Sequence, residues 1–253
     1  MEPRYWIKQY GLQRTGTNYA RALMEAICPD SRVLAAMLGN KPELPSLEAA
    51  VASLREGDIG RAETDLTPAD FEKIIQSYER ADLRILVCVR DVVMWMDSLE
   101  RYRAKRERRD VRALSRVDIE PLVHRWIDYY TQLHDWCEDS TFATSWVVHH
   151  QLLRKPEILV DIARSWNIPC TDRIPRIGYM RNGSDKHSSR FISREKYRPE
   201  QYAEVYSGAG LIALEDVNWT KDLVKSLDPR GLSRNWMWRG ASLRRRTPPV
   251  ISS

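Results

Sequence analysis

Tyr5-Trp6-Ile7-Lys8-Gln9-Tyr10-Gly11-Leu12-Gln13-Arg14-Thr15-Gly16-Thr17-Asn18-Tyr19-Ala20 is the stretch that decides the fold. An apolar-aromatic run, Tyr5-Trp6-Ile7, leads into a glycine-bearing turn. After the turn, Ala20, Leu23, Met24 and Ile27 recur at helical spacing. The order is strand, tight turn, helix N-terminus. Such a turn aims backbone N–H groups and the positive end of a helix at one point, a receptor for phosphate-like anions. Arg14 adds a full positive charge, and Thr15, Thr17 and Asn18 add neutral donors.

The nearest general template is the phosphate-binding loop, a Gly, four residues, then Gly-Lys-Ser/Thr. Gly11 and Gly16 fit its glycine spacing. Thr17 replaces the lysine that reaches the β- and γ-phosphates, and Asn18 replaces the hydroxyl residue that holds magnesium. Both replacements argue against ATP or GTP hydrolysis. With the cation moved upstream to Arg14, the turn suits one anionic group without a metal.

The bulk composition agrees with a soluble α/β protein. The 253 residues are enough for one well-packed domain; 30% are charged and 43% are apolar or aromatic. Net charge is +5, carried more by Arg than by Lys. The planar guanidinium fork binds two oxygens of phosphate or sulfate at once. Cys28, Cys88, Cys137 and Cys170 are scattered through the chain, which suggests neither a zinc site nor a disulfide framework. No signal peptide and no apolar run of membrane-spanning length is evident, so the expected location is cytoplasmic.

Outward from the first turn, Val33–Leu38 reads as a short buried strand ending at Gly39-Asn40. A helix is expected over Ser46–Arg55. Thr67-Pro68 opens another helix, with Phe71, Ile74, Ile75 and Tyr78 on one face. Ile85–Val89 is the clearest central strand, continuous and apolar as in a sheet buried on both faces. A long helix follows through Trp95, Leu99 and Tyr102, then another over Ile119–Trp136. Trp146–Val148 is a further strand, and Pro156–Trp166 an amphipathic helix. Alternating strands and helices predict a three-layer α/β fold, a central parallel β-sheet flanked by helices. Residues 1–239 read as one domain and 240–253 as a disordered basic tail. The Arg-rich stretch Glu100–Arg116 reads as a loose, solvated segment.

Three features together resemble the sulfotransferase family that uses the sulfate donor PAPS (3′-phosphoadenosine 5′-phosphosulfate). Arg14-Thr15-Gly16-Thr17 matches that family's basic-Ser/Thr-Gly-Thr loop for the 5′-phosphosulfate, with Asn18 continuing it. Arg90, closing the central strand, and Ser98, eight residues on, match the pair that reads the 3′-phosphate. Open α/β sheets bind ligands at the carboxyl ends of their strands, and Ser98 can return to that side two helical turns later. Lys41-Pro42-Glu43-Leu44-Pro45 follows the second strand, where family members carry a Lys and a nearby His or Glu. There, positive charge on the leaving oxygen and a base for the acceptor hydroxyl are needed.

The resemblance implies a P-loop nucleotide-binding fold and a transferase whose co-substrate is PAPS and whose product is PAP, with no metal. Arg14, Thr15, Gly16, Thr17, Asn18, Arg90 and Ser98 would bind the donor. Lys186 and Arg190, in the basic stretch Arg181–Arg190, would close over the nucleotide. Arg14, Lys41 and Glu43 would carry catalysis, with Glu63, Asp65 or a histidine as rivals for the base. Val147-Val148-His149-His150-Gln151-Leu152-Leu153 resembles a family segment with Tyr-Glu-Asp at the His-His-Gln positions. Adjacent histidines on a strand point to opposite faces. They make a poor metal pair, and a structural role is expected for them. The acceptor, a small molecule or a carbohydrate, and the oligomeric state are not legible. A phosphate-loop small-molecule or nucleotide kinase, and a non-catalytic binder of nucleic acid or anionic polymer, are the alternatives; neither nucleic acid nor a membrane is an expected partner.

Overall fold

The computed structural model describes residues 4–34, 37–39, 51, 66–175, 177, 179–180, 189–190 and 211–228. Its elements are β1 (Tyr5–Tyr10), α1 (Thr17–Ile27), β2 (Ser31–Leu34), α2 (Pro68–Glu79), β3 (Arg84–Val89), α3 (Val92–Glu107) and α4 (Arg116–Asp139). These are followed by β4 (Ala143–Val148), α5 (His149–Arg154), α6 (Ile158–Ser165), β5 (Tyr179–Met180), β6 (Ser189–Arg190) and α7 (Leu214–Leu227). Among the described residues, no helix is long and apolar enough to cross a membrane.

Four strands form one all-parallel sheet in the order β2-β1-β3-β4, as the alternation of strands and helices predicts. The period-two geometry of a strand divides its side chains between two cores. On β3, Ile85, Val87 and Val89 pack with residues of α2, α3, α4 and α7, while Leu86 and Cys88 pack with α1 and α6. Helices therefore cover both faces, which is why Ile85–Val89 reads as an uninterrupted apolar run.

The chain order sets where a site can form. From β1 it crosses to β2 on one side, then returns to place β3 on the other side of β1. The turn after β1 and the residues after β3 consequently meet at the carboxyl edge, at the point where the strand order reverses. Sequence signals for the flanking helices hold. Thr67 and Asp70 form a reciprocal cap, with the Thr67 N–H on Asp70 Oδ2 at 2.8 Å and the Asp70 N–H on Thr67 Oγ1 at 3.3 Å.

Several expectations need correction. The second strand runs over Ser31–Leu34, not Val33–Leu38. Leu38 (φ 58°) and Gly39 (φ 91°) adopt left-handed backbone that a strand does not admit. His149 and His150 do not sit on a strand; they open the short helix α5. The Arg-rich stretch is tied down, not loose. Glu100 is 3% exposed and accepts two bonds from Arg109, at 2.5 and 3.0 Å, while the Leu114 N–H donates to the Leu211 carbonyl at 2.7 Å. Two of the scattered cysteines also meet. The Thr171 N–H bonds the Ile27 carbonyl at 2.8 Å, so Cys170 lies beside Cys28, whose thiol is pushed up to about 12 by burial and by its neighbour. Within the expected helix Ser46–Arg55 only Val51 is described; it is helical and buried. The domain boundary at 239 and the tail lie outside the described residues.

Candidate functional site

Gly11 begins the turn at φ 151°, and a Cβ there would stand 2.5 Å from the Cys88 carbonyl oxygen. Only glycine lets the chain leave β1 this close to the end of β3. Over the next three residues the carbonyls are each taken by a protein donor. The Thr15 N–H (3.2 Å) and hydroxyl (2.7 Å) bond the Leu12 carbonyl, and the Trp95 indole N–H bonds that of Gln13 at 2.8 Å. Arg90 Nη1 bonds that of Arg14 at 3.2 Å. In a trans peptide the N–H opposes the C=O, so the Gln13 N–H points away from Thr15 and the Arg14 N–H away from Trp95. This anchoring holds Arg14 at φ 75°, a conformation that costs about 1–2 kcal/mol for a residue with a Cβ.

Gly16 ends the turn at φ 88° and stands at the N-cap of α1. A Cβ on Gly16 would overlap His149 Cδ2, so the imidazole packs directly on the turn's backbone. Burial first, then the Arg90 guanidinium, His150 and the Arg14 guanidinium, hold the His149 imidazole well below its ordinary range. Behind the turn, Gln9 Nε2 donates to the Thr17 carbonyl at 2.8 Å, and the Tyr129 hydroxyl accepts the Gly11 N–H at 3.1 Å. The Tyr129 phenol is raised above its ordinary value by burial. It is therefore a neutral prop and not an anion.

The exposed Arg14 side chain runs along α3: its Nε donates to Ser98 Oγ at 3.3 Å, and its guanidinium lies 5.3 Å from the centre of the Tyr102 ring. Arg90 is half-buried, and its Nε is a buried donor with no partner among the described residues. Asp91 is 4% exposed, and its Oδ1 accepts the Val93 and Met94 N–H groups at 3.0 and 3.2 Å as the cap of α3. Among the described residues no three His, Cys, Asp or Glu side chains are grouped to hold a metal ion.

The sequence-selected residues thus divide. Arg14, Arg90 and Ser98 come together at the carboxyl edge of the sheet, and Gly16, Thr17 and Asn18 follow Arg14 into the first turn of α1. Thr15 is fully buried and turned toward Leu12, so its side chain shapes the turn instead of lining its outer side. Lys41, Glu43, Glu63, Asp65 and Lys186 lie outside the described residues. Arg190 has its backbone in β6, paired with Tyr179. His149, for which a structural role is expected, is brought by the fold against the turn's backbone at Gly16. The strand-end rule that picks Arg90 also picks His149, the first residue after β4. Trp95 and Tyr129 carry no such signal.

No family model and no curated protein matches this chain.

Proposed function

We propose that the chain is a PAPS-dependent sulfotransferase of the P-loop type, transferring a sulfuryl group to an oxygen or amine acceptor without a metal. The observation that carries this reading is the joint contact of Arg14, Ser98 and Arg90. Arg14 reaches Ser98 through its side chain and Arg90 through its carbonyl, so the two anion-reading elements form one surface. The unpartnered Nε of Arg90 fits such a ligand, because a buried N–H gains most from an anionic acceptor.

In this reading Arg14, Gly16, Thr17 and Asn18 hold the 5′-phosphosulfate, and Arg90 and Ser98 hold the 3′-phosphate. The acceptor oxygen attacks sulfur in line, the bridging S–O bond breaks, PAP leaves, and a base takes the acceptor's proton. Lys41 and Glu43 are assigned charge stabilisation and base, and Lys186 and Arg190 the closure over the nucleotide. The kinase reading lacks the loop lysine and hydroxyl, and Asp91 caps a helix. The nucleic-acid reading is weakened by pairing along the Arg-rich stretch: Arg101 with Asp97, Arg109 with Glu100, Arg112 with Asp118 and Arg116 with Asp216.

Thermal unfolding with adenosine 3′,5′-bisphosphate, with ATP and magnesium, and with duplex DNA separates the three. A ligand at a hundred times its Kd adds about 2.7 kcal/mol of stability. Stabilisation by the bisphosphate is expected; stabilisation by ATP-magnesium or DNA alone overturns the proposal.

A further inference from the structure

Two buried tryptophans hold the backbone of the two site arginines. Trp95, on α3, donates from its indole Nε1 to the Gln13 carbonyl at 2.8 Å. Trp126, on α4, donates from its Nε1 to the Arg90 carbonyl at 3.1 Å. The peptide that Trp95 grips joins Gln13 to Arg14, and the peptide that Trp126 grips joins Arg90 to Asp91. Each indole thus holds a peptide plane attached to the Cα of an arginine of the candidate site. Arg90 links the two halves, because its Nη1 donates to the Arg14 carbonyl at 3.2 Å. Both peptide planes flanking the Arg14 Cα are therefore held, one by Trp95 and one by Arg90, and the Arg90 backbone is held in turn by Trp126.

Fixing the two peptide planes on one Cα fixes its φ and ψ. Arg14 stands at φ 75°, a conformation that a residue with a Cβ leaves when nothing holds it. Leaving it would swing the side chain away from Ser98 Oγ, which Arg14 Nε reaches at 3.3 Å, and from the Tyr102 ring. A buried indole needs an acceptor for its N–H, but that need alone does not select a carbonyl beside a site arginine. We propose that Trp95 and Trp126 are positioning residues of the anion site: their indole N–H groups hold the backbone of Arg14 and Arg90 so that both guanidiniums and Ser98 meet one ligand. The inference rests on the reading of Arg14, Arg90 and Ser98 as the residues that bind a 3′,5′-bisphosphate donor. Phenylalanine would supply apolar bulk at either position, which leaves the hold on the backbone as what the indole N–H adds.

The test compares affinity for adenosine 3′,5′-bisphosphate in single and paired variants of the full chain. Trp95→Phe is expected to weaken binding about 10-fold, the scale of one lost hydrogen bond with the cation it placed. In an Arg14→Ala background the same change should cost less than about 2-fold, because Trp95 acts through that guanidinium. Trp126→Phe should behave alike, about 10-fold alone and less than about 2-fold on Arg90→Ala. A packing role alone would lower affinity equally in both backgrounds or leave it unchanged in both, and either result overturns the inference. Should Trp95→Phe fail to fold, 3-benzothienylalanine at position 95 keeps the ring's shape and puts sulfur where the N–H stood, and the same comparison applies. Hydrogen exchange is read alongside at the Gly11 and Thr15 amides, which the Tyr129 hydroxyl and the Leu12 carbonyl accept. It should quicken several-fold in either Trp95 variant. If the wild-type chain binds no bisphosphate, the functional reading has failed; the exchange comparison then decides the positioning by itself, faster exchange supporting it and unchanged exchange overturning it.

Discussion

Arg14 Nε donates to Ser98 Oγ at 3.3 Å across 84 residues of sequence, and Arg90 Nη1 reaches the Arg14 carbonyl at 3.2 Å. The contact exists because β1 and β3 are neighbours while β2 lies outside them, so the turns after β1 and β3 share one edge. A cation held in left-handed backbone, a hydroxyl and a second guanidinium are thereby brought together, and in the sulfotransferase reading they stand ready for the donor's phosphates. Such preorganisation lowers the ordering cost of binding.

Removal of Arg90 tests the division of labour in this cluster. Arg90→Ala should abolish discrimination between adenosine 3′,5′-bisphosphate and 5′-AMP, because only the former carries a 3′-phosphate. Loss of a charge-assisted hydrogen bond is worth about 1.5–3 kcal/mol, or roughly 10- to 150-fold in Kd for the bisphosphate, with little change for AMP. Titration calorimetry reads both; retained discrimination refutes the role.

Gly16 and His149 should prove coupled. Gly16→Ala meets both a positive φ and the imidazole, and is expected to destabilise by about 2–4 kcal/mol in urea unfolding. In a Gly16→Ala, His149→Ala double variant the steric part disappears, so the two costs should fall short of additivity by about 1 kcal/mol or more. Additive costs would place the histidine away from the turn.

Stability should fall as the solution is acidified from neutrality. In the unfolded chain a histidine takes up its proton near pH 6.5, whereas folded His149 and His150 stay neutral below that, His149 well below. The unfolded state then binds more protons, so stability is full above about pH 6.5 and declines below it, by at most about 1.4 kcal/mol per pH unit per histidine. Glu100 and Asp118, held below the ordinary carboxylate range chiefly by hydrogen bonds from Arg109 and Ser115, lose their contribution only at lower pH. His149→Asn should flatten the slope between pH 7 and 5 in denaturant titrations. An unchanged slope would show that the imidazole is not held neutral.

Asp91 offers a test of the metal question. As a helix cap its replacement by Ala should cost about 1 kcal/mol of stability. Asp91→Asn keeps an acceptor for the same N–H groups and should bind the bisphosphate as wild type does, with or without EDTA. A requirement for magnesium that Asp91→Asn removes would favour a kinase.

Much of this architecture was legible because it depends on local chemistry. The β1 turn shows in Gly11, Gly16 and the flanking patterns; Ile85–Val89 shows because a strand covered on both faces has no polar side; Thr67 and Asp70 cap within four residues. Other features depend on partners far along the chain. Lys8 reads as the polar member of an alternating strand until Met37 and Gly39 fold over it, and Glu100 as a solvated acid until Arg109 returns to it. His149 reads as a strand residue because the apolar run Trp146–Val148 leads straight into it; the strand closes at Val148, and His149 opens a helix beside Gly16. Lys41 and Glu43 carry chemistry that only the resemblance supplies.

The most direct measurement is calorimetric titration of the wild-type chain with adenosine 3′,5′-bisphosphate and with 5′-AMP, both in EDTA. The expected result is saturable, metal-independent binding with the bisphosphate favoured at least tenfold, a difference of about 1.4 kcal/mol. Equal affinities, or binding that appears only when magnesium and a triphosphate are supplied, would contradict the assignment of Arg14, Arg90 and Ser98 to a phosphosulfate donor.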